Sequence, residues 1–188
     1  MRKLQYLILF ILIGAVAFSR MLPHPPNFTP VMAVSLFCGA LFGFRGISFS
    51  LALPLAAMVV SDFFIGFHPL SGVVYVSMVP AVLLGAACAG GLKPVGEGSS
   101  WGGLKWLGLG LIADLSFFTL SNLGVWWLSG FYEHSMKGLT ECFVLALPFL
   151  HNQILGTGTF LGLLLFTWYG LTVLMGWRQP ILNYQKYK

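Results

Sequence analysis

Charge is what this sequence has least of. Asp, Glu, Lys and Arg make up 8% of its 188 residues, where a soluble domain carries about a quarter and needs them to cover its surface. That scarcity excludes a soluble module of useful size. Reactive motifs are missing too. There is no GxxxxGK[ST] loop, so ATP hydrolysis would have to come from another chain. No HExxH, no histidine pair at i, i+4 and no Gly-x-Ser-Gly nucleophile turn occurs, which argues against an intramembrane enzyme. The three cysteines, Cys38, Cys88 and Cys142, show no ligand spacing and read as small apolar residues in helix packing.

What is present is apolar. Hydrophobic residues reach 57% and the mean hydropathy is +0.86, the composition of an integral membrane protein built as one domain. The apolar segments run over 4–19, 30–44, 47–65, 72–91, 104–120 and 153–177, most of them near the roughly 20 residues a spanning helix needs. A further segment, Leu139–Leu150, is too short to cross and reads as an outer re-entrant or interfacial helix. The first segment imitates a signal peptide, with Arg2, Lys3 and an Ala15-Val16-Ala17 step, but is expected to be retained as a span. The expected fold is all-α, a bundle of six transmembrane helices.

With six spans, Arg2, Lys3, Arg45, Lys93, Lys105, Arg178, Lys186 and Lys188 fall on one side, and Arg20 and Lys137 on the other. The positive-inside rule then puts both termini in the cytoplasm. Splitting the last segment at Gly156-Thr157-Gly158-Thr159 would make seven spans and send the basic tail outside, so six is preferred. The net charge of +5 concerns topology and the lipid bilayer, and nucleic acid is not an expected partner. Pro94–Ser100 reads as a flexible inner linker. Small residues four apart (Gly39 and Gly43; Ala81, Gly85 and Ala89) predict close helix contacts, and Pro54 and Pro80 predict kinks.

The same topology gathers the polar residues at the outer face. The stretch Arg20–Pro30 holds four prolines with His24 and Asn27. Prolines remove backbone donors and hold the chain extended, which suits a lid over a cavity better than a plain connector. Asp62 and His68 flank the second outer loop. Asn122, Trp126, Tyr132 and Asn152 belong to the long connection Ser121–Asn152, where the aromatics read as an interfacial belt or a stacking wall for a planar ligand. The three asparagines read as helix caps or as amide contacts to an uncharged, vitamin-like molecule. Asp114, inside a span, needs a partner or a proton.

The motifs RMLPHPPNFTPV, SDFFIGFHP, SNLGVWW and GLTECFVLALPFLHNQ resemble a family of small bacterial membrane transport proteins of unknown function, over nearly the whole chain. That family in turn is similar to the substrate-binding S-components of energy-coupling factor transporters. The resemblance implies a six-helix protein of the bacterial cytoplasmic membrane whose site opens outward, and a partner membrane subunit with ATPases. In solitary cobalamin S-components a cysteine between the third and fourth spans contacts the cobalt. Here that connection has His68 in its place, and imidazole is a competent cobalt ligand. Thiamine- and biotin-type S-components are equally admissible.

The expected function is therefore capture of a small-molecule substrate for uptake, through His24, Asn27, Asp62, His68, Asn122, Trp126, Tyr132 and Asn152. No resident cofactor is expected, nor any metal beyond one carried by the substrate. A non-transporting assembly or scaffold subunit is the main rival.

Overall fold

The computed structural model describes residue 11 and residues 14–89, 92 and 102–174. The start of the first predicted span, the Pro94–Ser100 linker and the basic tail lie outside the described residues. Among those described there are helices and turns and no strand.

Residues 14–21 form the end of α1. After the proline-rich segment come α2 (Val31–Phe42), a 3-10 turn (Phe44–Gly46) and α3 (Ile47–Ile65). A short loop leads to α4 (Ser71–Ser77) and α5 (Val79–Ala87), then α6 (Gly102–Leu128) and α7 (Met136–Leu174). Three stretches are long and apolar enough to cross a membrane: Phe44–Ile65, Gly103–Leu128 and Met136–Leu171. Val31–Phe42 and Ser71–Ala87 are shorter apolar helices.

The core of the bundle is α2, buried along Val31–Ala40 and packed against α5, α3 and α7. Its contact with α5 rests on two glycines. A Cβ on Gly39 would strike the Val82 carbonyl, and one on Gly85 would strike the Leu36 carbonyl. Without Cβ atoms the two backbones touch, the close approach that small residues permit in lipid. Around this crossing Val31, Cys38, Met58 and Met78 form one buried cluster, and Leu36, Phe37, Trp106 and Trp168 another. Cys38 and Cys142 are buried and Cys88 half-buried, all three unbridged.

Two predicted elements differ. The segment 72–91 is broken at Met78 into α4 and α5, because Pro80 at the start of α5 has no N–H to carry the helix through. Leu139–Leu150 is not a separate short helix; it is the first half of α7, whose 39 residues run about 58 Å at 1.5 Å per residue. Ser135 starts that helix by accepting a hydrogen bond from the Gly138 N–H at 3.2 Å. Nothing at His151-Asn152-Gln153 ends it, and Pro148 is accommodated inside it. Pro54 likewise sits within α3.

Helices α6 and α7 form an antiparallel hairpin turned at Ser129–Ser135. Cys142 Sγ lies 3.5 Å from the Asn122 carbonyl, and Phe118 meets Phe143 edge to face at 5.5 Å. Further along, Gln153 faces Asp114. The register is continuous.

Candidate functional site: a docked proline segment and two buried carboxylates

The proline segment is held against α7 by residues spaced four apart. Asn152 Nδ2 donates to the Pro26 carbonyl at 3.1 Å. One turn on, Gly156 leaves room for the Phe28–Thr29 backbone: a Cβ there would meet Thr29 N at 3.1 Å and Phe28 Cα at 3.2 Å. A turn further, Phe160 packs on Phe28 with ring centroids 5.7 Å apart. Since α7 presents i, i+4 and i+8 on one face, Asn152, Gly156 and Phe160 make a single track.

The segment itself is folded by its prolines. Phe28 N donates to the Pro25 carbonyl at 3.0 Å, closing a turn with Pro26 and Asn27 at its centre. Asn27 has φ of 64°, the left-handed conformation that a second central turn residue needs and that asparagine tolerates better than most. His24 Nδ1 donates to the Pro25 carbonyl at 2.8 Å. The expectation that asparagines cap helices is not met: Pro30 precedes α2 with no side-chain cap, and Asn122 and Asn152 lie inside α6 and α7.

Asp62 is buried, 5% exposed, and both its oxygens are engaged by the protein. Arg20 Nη1 pairs with Oδ1 at 2.6 Å, and Tyr75 donates to Oδ2 at 2.6 Å. Arg20 also reaches Ser61 Oγ and the Met58 carbonyl. The network ties α1 to α3 and α4, so it fixes where the proline segment begins.

Asp114 is fully buried and sits nearly mid-way along α6. Gln153 Nε2 and Thr157 Oγ1 donate to its Oδ1 at 2.9 and 2.8 Å, and Gln153 also reaches its main-chain carbonyl. Its other oxygen, Oδ2, has no partner among the described residues. Asp114 lines a cavity of about 210 Å³ between α6 and α7, with Leu107, Leu111, Ile154 and Leu161 as its apolar walls.

The other predicted contacts are local. His68 Nδ1 accepts the Leu70 N–H at 3.1 Å, which leaves its ring proton on Nε2; ligation of a metal there would cost that turn bond. Asn122 Nδ2 donates to Phe118 in its own helix at 2.7 Å. Trp126 Nε1 donates to the Glu133 carbonyl at 2.9 Å, closing the hairpin, and Trp127 stacks on His134 at 5.1 Å. Burial first, then the neighbouring Cys142 and Glu141, push the Tyr132 phenol above its ordinary range, so it stays a hydrogen-bond donor at neutral pH.

Three groups result. His24, Asn27 and Asn152 share the proline segment and its track. Asp62 and His68 belong to α3, α4 and their loop, and Asn122, Trp126 and Tyr132 to the hairpin. Among the described residues, no three of His, Cys, Asp and Glu come together as a metal site.

The described residues thus define an all-helical chain with three helices long and apolar enough to cross a membrane, and a proline segment folded back onto the longest of them. The chain belongs to a family of unknown function (DUF6580), which it matches over residues 2–179. No curated protein matches it significantly, and neither does any solved structure.

Proposed function

We propose that the chain is the substrate-binding component of a small-molecule uptake system in a bacterial cytoplasmic membrane. In this reading it crosses six times with both termini inside. A vitamin-like or metal-containing substrate enters from the outer face, and a partner membrane subunit with ATPases supplies the energy.

One observation carries the reading: the proline segment is docked level with Asp114, well below the tip of the α6–α7 hairpin. Asn152 holds Pro26 one residue from Gln153, which holds Asp114. Asp114 lies 14 residues before the end of α6 at Leu128, roughly 21 Å along a helix rising 1.5 Å per residue. Helix α2, with 12 residues, covers only about 18 Å of a bilayer core near 30 Å, so the segment completes that crossing. With the end of α6 taken as the outer boundary, non-helical backbone at such depth is tolerated only inside protein or beside a water-filled cavity. Pro23, Pro25, Pro26 and Asn27 are exposed, which favours the second of these. The prolines suit the place, since each removes a donor that would otherwise need a partner.

A scaffold role is the second reading, favoured by one fact. Asp62, Asn122, Trp126 and Asn152 each make a hydrogen bond within the protein. The two readings divide on uptake. Cells making the chain should accumulate one of labelled cobalamin, thiamine or biotin faster than cells lacking it, and Asn152→Ala should reduce the difference severalfold. Equal accumulation of all three with and without the chain favours the scaffold.

A further inference from the structure

We infer that the groove between α6 and α7 is a binding site for a small organic ammonium ion, with the Asp114 carboxylate as its counter-charge. The site is separate from the uptake reading and does not depend on it.

Three features converge. First, Asp114 is fully buried and its Oδ2 is unpaired among the described residues, although Oδ1 receives two donors. A buried acceptor without a donor is costly, and a lone carboxylate within a span is more so. Gln153 and Thr157 hold the carboxyl in one orientation, and Oδ2 is closed off at rest, so a wall side chain has to swing aside for an ammonium head to reach it. Second, the same residue lines a cavity of about 210 Å³, smaller than the roughly 300–1,000 Å³ of drug-sized sites. A vitamin is too large for it. Third, the walls are Leu107, Leu111, Ile154 and Leu161. A bare inorganic cation such as calcium needs six or more oxygens, and the groove offers one carboxylate and one threonine hydroxyl. An ammonium head needs a charged acceptor and a fit for its apolar body. The groove supplies both.

The groove also has a position from which it can be blocked. Gly158 lines it, and a Cβ there would meet nothing within 4 Å; Gly108 is equally open but is not among the lining residues.

The test uses the full chain in a nonionic detergent with n-pentylammonium, 1-pentanol and pentanoate as probes. Pentylammonium should raise the unfolding temperature saturably, with pentanol at least tenfold weaker and pentanoate inert. Asp114→Asn, which puts an amide where the acceptor was, should weaken pentylammonium binding roughly tenfold or more, as expected for loss of a charge-assisted bond. Gly158→Leu should abolish it while Gly108→Leu does not. If Asp114→Asn fails to fold, the Gly158 and Gly108 pair decides alone. No shift with pentylammonium overturns the inference. So do equal shifts with pentanol, or a shift that survives Gly158→Leu.

Discussion

Asp62 and Asp114 stand out in the sequence because an ionisable residue in a span must be accounted for. Their partners were not legible. Tyr75 lies across a loop from Asp62, and Gln153 and Thr157 look like ordinary polar positions until α7 is placed beside α6. An i, i+4 pair of hydrogen-bonding residues in an apolar helix, as Gln153 and Thr157 are, was the one available signal. For Asp62 the structure assigns both oxygens to the protein, so its first effect is on stability. Breaking a buried pair by removing one partner costs about 3–5 kcal/mol; with Arg20 partly exposed, 19%, the lower end is expected. Arg20→Ala and Asp62→Ala should each lose about 3 kcal/mol in unfolding titrations. The double mutant should lose clearly less than the sum, and strict additivity would remove the ion pair from consideration. Asn27 offers a second check. Its left-handed backbone costs an L-residue roughly 1–2 kcal/mol, and glycine little. Asn27→Ala should therefore destabilise by about 1 kcal/mol while Asn27→Gly stays near neutral; equal losses from both in unfolding titrations would remove the backbone account.

Among the elements, the small-residue spacing around Gly39 and Gly85 was readable, and the two residues meet at the α2–α5 crossing. The full length of α7 was not. Hydropathy sees His151-Asn152-Gln153 as the edge of a span, whereas backbone hydrogen bonding continues through any residue that can donate. Only the Ser135 cap marks the true start, and capping serines are common. The crossing predicts a sharp contrast. Gly39→Ala drives a methyl onto the Val82 carbonyl and should cost about 1–3 kcal/mol, the usual range for overpacking. Gly108→Ala, whose Cβ would meet nothing within 4 Å, should be neutral or slightly stabilising because alanine favours helix. Melting both proteins beside the parent chain checks this. Equal effects would mean that backbone propensity, and not helix contact, governs Gly39.

For the whole molecule, the division of basic residues, eight against two, predicts cytoplasmic termini. Reporter fusions after Lys188 and within Gly96–Ser100 should both report cytoplasm; a tail on the outer side would overturn the six-crossing arrangement. The apolar composition made membrane helices legible, but composition carries no depth. That the proline segment descends to the level of Asp114 follows only from its contacts with α7. The most direct test of the uptake reading is to fix that segment in place. With Cys38, Cys88 and Cys142 replaced by alanine, Phe28→Cys and Phe160→Cys are bridged by a short bifunctional thiol reagent. Binding of labelled cobalamin, thiamine and biotin to the purified chain is then followed with and without the bridge. One of the three should bind saturably to the unbridged protein, and the bridge should slow its entry and release at least tenfold. Saturable binding of none, or entry and release at unchanged rates across the bridge, would contradict a proline lid over a substrate site.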